Sequence, residues 1–251
     1  MLIDAHTHVG EKGAYHGRSK DWSFEGAFNG KQLVAILDEH EIDFAVCFGM
    51  GRTGPTTGVK LTIDAVQSHP DRLAGFYRAD PWNPASVGEF EKAVREYGLK
   101  GLKLHPEGEG FQANHPVVFP LMEKAAELGV PCTIHSHQRG SVPTLIGDLA
   151  ARFPQVTVIM AHMGMHQYND AIYVAEKEDN IILETSVQPW IHRIARLVVD
   201  KIGPERLIYG SDTPLHHPRV ELTKIEVADL NDQERELVLG GNINRILKLG
   251  L

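Results

Sequence analysis

A parallel α/β barrel of eight strand–helix units, (β/α)8, is the fold this sequence predicts, and three observations predict it. The chain has 251 residues, close to the usual size of such a barrel as one unit. Eight short apolar runs alternate with longer amphipathic segments from end to end, the pattern of parallel strands joined by right-handed crossovers. The glycine fingerprint of an open nucleotide-binding sheet is missing after the first run. Residues 1–251 are therefore read as a single barrel domain.

The elements follow in order. The first run, Leu2 to Ala5, leads into His6-Thr7-His8. A long loop follows, rich in glycine and aromatic residues (Tyr15, Trp22, Phe24, Phe28), and loops of that length are usually functional or mobile. Lys31 to His40 carries Leu33, Ile36 and Leu37 at helical spacing. The second run is Asp43 to Phe48, followed by a glycine-rich turn with Arg52 and a helix to about Ser68. The third run is Leu73 to Tyr77, and the next helix opens on Ser86 with Glu89 three residues on, a capping-box pattern. The fourth run ends Lys103-Leu104-His105-Pro106, before a glycine-rich loop and a helix from about Val117 to Leu128. The fifth, Pro131 to His137, precedes a helix over Pro143 to Phe153. The sixth runs from Val156 to His162 and the seventh from Ile181 to Ser186, with a polar helix from about Asn169 to Lys177 between them. A helix from about Trp190 to Ile202 leads to the eighth, Leu207 to Asp212, and a helix from about Asp232 to Leu249 closes the chain.

Composition narrows the function. A net charge of -8 disfavours a nucleic-acid backbone or an anionic membrane as the main partner. No apolar run reaches the ~20 residues of a membrane span, and no signal peptide is evident. Cys47 and Cys132 lie in apolar runs and read as buried, reduced thiols of a cytoplasmic protein.

The chemistry collects where barrel active sites lie, at the C-terminal strand ends. Run one ends in His6 and His8, run four in Lys103 and His105, run five in His135 and His137, run six in His162 and run eight in Asp212. Spacing by two keeps both members of a pair on one face of a strand. Imidazoles and a carboxylate converging there suit zinc and its neighbours. Asp4 is read as structural, deeper on the same face as His6. Lys103 is open between a bridge or anion-binding role and a buried ion pair with Glu184. His137, Arg139, Trp190 and His216 are candidate substrate contacts on loops over the site, and Arg52, Gln188, His166 and His217 have the same standing.

The ordered set of His6-x-His8, Lys103, His135, His162 and Asp212 resembles the amidohydrolase superfamily. Gly101-Leu102-Lys103-Leu104-His105-Pro106, Ala161-His162-Met163-Gly164, Leu207-Ile208-Tyr209-Gly210-Ser211-Asp212-Thr213-Pro214 and the closing Gly241-Asn242-Ile243-Asn244-Arg245-Ile246-Leu247 are similar to its amidohydrolase-related branch, which includes aminocarboxymuconate-semialdehyde decarboxylase. The resemblance implies a metal held by His6, His8, His135 and Asp212, most simply one Zn²⁺ per chain. His162 would then stand beside the metal's water as a base, and Asp212 would take and return a proton. It also implies an alternative with two metals, bridged by a carboxylated Lys103, where His6, His8 and Asp212 bind one ion and His135 and His162 the other; His105 directly beyond Lys103 suggests a substrate-facing polar pair instead of that bridge. The leading expectation is a metal-dependent hydrolase of a small polar, carboxylate-bearing substrate. The alternative is a decarboxylase or hydratase on the same site. A TatD-like nuclease is disfavoured, because such enzymes are expected to carry a glutamate where Lys103 stands, and a non-catalytic barrel is disfavoured by the full ligand set. The resemblance also allows a homodimer.

Overall fold

The computed structural model describes residues 1–10, 28–50, 57–188 and 193–251. Arg52, Trp190 and the aromatic residues Tyr15, Trp22 and Phe24 of the first loop lie outside them. Eight parallel strands form one sheet in sequence order: β1 (Ile3–Gly10), β2 (Phe44–Met50), β3 (Leu73–Arg78), β4 (Gly101–Leu104), β5 (Cys132–His135), β6 (Val158–Ala161), β7 (Ile181–Glu184) and β8 (Leu207–Ile208). The first edge meets the last through backbone bonds from Ala5 N–H to the Tyr209 carbonyl (3.0 Å), Asp212 N–H to His6 (2.7 Å) and His8 N–H to Thr213 (2.7 Å). The result is the expected (β/α)8 TIM barrel.

The helices between strands are α1 (Gly30–Glu39), α2 (Thr57–Ser68), α3 (Ser86–Arg95), α4 (Pro106–Glu109), α5 (Phe119–Leu128), α6 (Pro143–Arg152), α7 (Tyr168–Lys177) and α8 (Ile194–Ile202). After β8 come α9 (Pro218–Glu226), α10 (Asp232–Glu236) and α11 (Asn242–Leu247). Among the described residues no helix is long and apolar enough to cross a membrane.

Two layers of apolar packing follow from strand alternation. Phe44, Val46 and Phe48 of β2 join Ala74 and Phe76 of β3, Ile159, Ile182 and Ile208 inside the barrel, and Ile243 and Leu247 of α11 pack onto the same cluster. The opposite strand faces pack on the helices, with Leu102, Cys132, Ile134, Val158, Met160, Ile181 and Leu183 in one continuous cluster. Both cysteines are free and buried. The interior is close-packed where it is apolar: a Cβ on Gly101 would stand 2.7 Å from the Phe76 ring. Above Phe48 and Phe76 the inward positions turn polar, and there the strand ends carry their chemistry.

The structure revises several local expectations. Ser86 and Glu89 make no capping box, because both side chains serve the tertiary structure. The Ser86 hydroxyl donates to the Asp80 carbonyl (2.6 Å), and the Glu89 carboxylate accepts from the Tyr77 hydroxyl (2.9 Å). A reciprocal capping box stands instead at α1, between Asn29 and Gln32. The closing helix runs without a gap from Asp232 to Leu247, as expected, but its winding changes partway along. A π-helical turn over Leu237–Gly241 separates α10 from α11, and a Cβ on Gly240 would stand 2.8 Å from the Met1 carbonyl. The helix therefore meets the chain start through bare backbone. β8 keeps only two ladder residues because Tyr209 N–H turns to the Val238 carbonyl (2.9 Å) and the chain beyond bonds across the seam to β1.

Candidate active site

β1 delivers His6 and His8 to the top of the interior. Both rings pack against Phe48, with centroids 4.8 Å away in each case. Asp212 meets them from across the seam. Its Oδ1 lies 2.8 Å from His8 Nε2 and 3.3 Å from His6 Nε2. On the other side of His6, Nδ1 lies 2.8 Å from Glu184 Oε2 on β7. His162 follows β6, its ring 4.8 Å from that of His6. Donor atoms of His6, His162 and Asp212 all lie within 4.8 Å of one another.

Two of these residues hold backbone conformations that side chains other than glycine adopt rarely. His162 has φ of 63° and Asp212 of 64°. Such conformations cost about 1–3 kcal/mol and persist where the surroundings over-determine them. For His162 the surroundings are explicit. Its N–H donates to Glu184 Oε2 (3.2 Å), its Nδ1 meets Ser186 Oγ (2.8 Å), and its carbonyl accepts from the Gln188 amide.

The hydrogen-bond network fixes the tautomers. Glu184 Oε2 accepts from the Ser186 hydroxyl (2.9 Å), so Ser186 Oγ receives the His162 Nδ1 proton, and His162 Nε2 bears a lone pair. That lone pair faces His135 Nδ1 at 3.1 Å, which must then donate. In the same way His6 gives its Nδ1 proton to Glu184, and its Nε2 lone pair faces the Asp212 carboxylate oxygen at 3.3 Å. Two acceptors opposed in a buried site repel, and a cation between them removes the conflict. The donor set therefore fits a divalent ion, with His6 presented by a carboxylate behind its other nitrogen, as ligand histidines are.

The electrostatics agree. Burial first, then the charge of Lys103, holds His6 well below its usual pKa. Burial likewise lowers His8 and brings His162 down to about 3, so the imidazoles are neutral and able to ligate. For Asp212, burial works upward. The hydrogen bond from His8 leads the causes that outweigh it and hold the carboxyl well below the usual range.

Other sequence candidates fall around this core. The His135 ring stacks on His105 at 4.0 Å and 9°. His135 also shares a second convergence, with Glu107 and His137, whose donor atoms lie within 4.8 Å of one another. Lys103 is buried but makes no ion pair with Glu184. Among the described residues its Nζ has no hydrogen-bond partner, and it sits 4.3 Å over the Phe48 ring. Glu184 is occupied by His6, the His162 backbone and Ser186. Asp4 lies below His6, accepting from the His6 and Ser211 backbones (3.1 and 2.9 Å). Arg139, His166, His216 and His217 are exposed, and His217 caps α9. The sequence reading missed Phe48 and Ser186. The signal for Ser186 was its place two residues beyond Glu184, on the same face of the strand.

The chain belongs to the amidohydrolase family, whose sequence model matches residues 3–249. It is 26% identical over 239 residues to a 2-keto-4-carboxy-3-hexenedioate hydratase of Sphingobium sp. (strain NBRC 103272 / SYK-6), covering 74% of this chain and 69% of that protein. Two solved structures share the fold. The 5-carboxyvanillate decarboxylase of Sphingomonas paucimobilis superposes with a TM-score of 0.76 at 15% identity, over 98% of both chains. A dihydroxybenzoic acid decarboxylase of Polaromonas sp. JS666, with bound manganese and 2-nitroresorcinol, gives 0.75 at 17% identity, over 100% of this chain and 97% of that one. Family and donor set support a divalent cation, without singling out the zinc that the sequence analysis expects.

Two variants test the support around the centre. Glu184→Gln keeps the shape and removes the anion behind His6, so metal affinity is expected to fall about 10–100-fold, read by competition with a chromogenic chelator. Gly210→Ala would drive a Cβ into the Glu184 carboxylate and against His6 Cβ. It is expected to destabilise the protein by about 1–3 kcal/mol, read by urea unfolding.

Proposed function

We propose that this chain is a divalent-metal-dependent lyase that adds water to, or removes carbon dioxide from, a small carboxylate-bearing substrate. The opposition of the His6 lone pair and the Asp212 carboxylate at 3.3 Å, in a centre of neutral imidazoles, carries this reading. His6, His8 and Asp212 would hold the cation, with His135 or His162 completing the set. The cation supplies Lewis-acid polarisation of an oxygen atom.

The chain's own groups do the rest. Asp212, ionised, presents the anionic ligand and a proton acceptor. His162 Nε2 is unprotonated and receives the His135 Nδ1 hydrogen (3.1 Å); a substrate group that displaces this bond meets a proton acceptor there, while Ser186 and Glu184 hold the ring in that tautomer. His105 Nδ1 accepts from Gly108 N–H (3.0 Å), which leaves its Nε2 carrying a proton for a substrate oxygen. Lys103 places a positive charge in the wall below. The lyase reading is placed ahead of the hydrolysis that heads the sequence expectations on the relative named a hydratase and the solved neighbours named decarboxylases, while another solved neighbour, from Acinetobacter baumannii, is named a probable 2-pyrone-4,6-dicarboxylic acid hydrolase.

The test is a panel of unsaturated and aromatic carboxylic acids, with lactones and amides, incubated with manganese- or zinc-loaded protein and analysed by mass spectrometry. Gain of water at a carbon–carbon double bond, or loss of carbon dioxide, abolished by a chelator and restored by metal, supports the proposal. Turnover of lactones or amides alone would make the chain a hydrolase, and turnover that ignores the chelator would remove the metal from the mechanism.

A further inference from the structure

The barrel wall between β3 and β4 carries two cations and one carboxylate. Arg78, the last residue of β3, is the register partner of Lys103 on β4. Register partners on neighbouring strands share a face, so both side chains rise on the interior side. Arg78 is about one-tenth exposed. Its guanidinium gives one N–H to the Gly49 carbonyl (3.2 Å) and one to Glu109 Oε1 (2.8 Å). Among the described residues, Arg78 Nε, Glu109 Oε2 and Lys103 Nζ are all buried without a hydrogen-bond partner. Orphaned polar atoms are rare in folded interiors, and three of them along one wall call for an explanation.

The surroundings place this wall beside the candidate metal centre. Glu109 closes α4, and its carbonyl accepts from the Trp82 indole (3.0 Å). A Cβ on Gly108 would stand 3.0 Å from the Arg78 guanidinium and 3.1 Å from His105 Nδ1, so α4 rests directly on both. His105 stacks on His135, which lies 3.1 Å from His162. Arg78 is thus linked to the metal-side histidines through one ring stack and one hydrogen bond.

We propose that Arg78, backed by Lys103, is a subsite for a second carboxylate of the substrate, so that the enzyme selects dicarboxylic acids. The inference rests on the metal-centred reading above: one end of the substrate lies at the metal, and the other docks on Arg78. Glu109 engages the guanidinium through a single nitrogen, leaving donors for the paired oxygens of another carboxylate. The Arg78 guanidinium keeps its charge at every working pH, and its planar fork matches the paired oxygens of a carboxylate. Glu109 is a positioning residue, holding Arg78 under α4.

Isothermal titration of the manganese-loaded protein with malonate, succinate and glutarate, against propionate, butyrate and valerate, tests the inference. At least one dicarboxylate is expected to bind about tenfold or more tightly than its monocarboxylate partner, in line with one charged hydrogen-bonded contact. Arg78→Gln should erase that advantage and leave metal content unchanged. Should Arg78→Gln not fold, Arg78→Lys decides, because lysine keeps the charge and loses the forked donors. An advantage reduced about threefold or more supports the subsite, and an unchanged one overturns it. Persistence of the advantage in Arg78→Gln, or equally tight Arg78-dependent binding of inorganic phosphate, would also overturn it. Metal-dependent monocarboxylate binding without any dicarboxylate advantage would overturn the subsite and leave the metal reading standing. Carboxylate binding indifferent to metal would overturn both.

Discussion

Asp212→Asn is expected to strip the protein of its metal and its activity together while leaving the barrel folded. Among His6, His8, His162 and Asp212, only Asp212 carries a charge, because burial keeps the three imidazoles neutral. A divalent ion in a buried site without an anionic ligand keeps most of its desolvation cost. The loss should reach about 4 kcal/mol, or roughly a thousandfold in affinity. Asparagine is the right replacement because Asp212 sits at φ of 64°, a conformation that asparagine shares with aspartate and most residues resist. It also keeps the backbone bond from Asp212 N–H to the His6 carbonyl (2.7 Å). Elemental analysis of protein purified without chelator or a polyhistidine tag is the measurement. Wild type should hold about one divalent ion per chain and the variant under about a tenth, with unchanged far-ultraviolet circular dichroism. A variant that retains its metal would remove Asp212 from the ligand set.

The strand ends were legible because two regularities act together. Alternation by two places His6 with His8, and parallel barrels present every strand's C-terminal end at one rim. His162 and Asp212 could therefore be placed on the same rim as His6 from their positions at strand ends, while their grouping with it came from the family resemblance. Their left-handed backbones could not, since nothing in the residue types demands φ above zero there. Pairings across the barrel were harder. His6 and Glu184 are 178 positions apart, and their bond depends on how the eight strands close. Opposite charge made Lys103 and Glu184 look like partners, yet Glu184 is saturated by donors of which two, the His162 and Ser186 backbones, leave no mark in the sequence. Ser86 and Glu89 failed as a capping box for the same reason: Asp80 and Tyr77 were better placed to bond them.

Lys103→Met is expected to make the metal-free protein more stable and the loaded enzyme much less active. Among the described residues Lys103 Nζ is buried without a hydrogen-bond partner, and it sits 4.3 Å over the Phe48 ring. Burial is the main cause that lowers its pKa from 10.5 to about 7. The sign follows from proton counting. Below about pH 7 both the folded and unfolded chains hold the proton, and the folded chain bears the full cost of a buried charge. Between about pH 7 and pH 10 the unfolded chain keeps the proton that the folded chain has released, so stability rises with pH over that window. Methionine fills a similar volume, makes a favourable sulfur–aromatic contact with Phe48 and carries no charge. It should stabilise by about 1–4 kcal/mol near pH 6, with the gain shrinking toward pH 9 as the wild type discharges. Urea unfolding of both proteins across that range is the check. A methionine variant less stable near pH 6 would mean that Lys103 has a partner holding its charge. Turnover should nevertheless fall by about a hundredfold or more, the cost of losing a charged contact to substrate. A residue whose removal strengthens the fold and weakens the reaction is kept for the reaction.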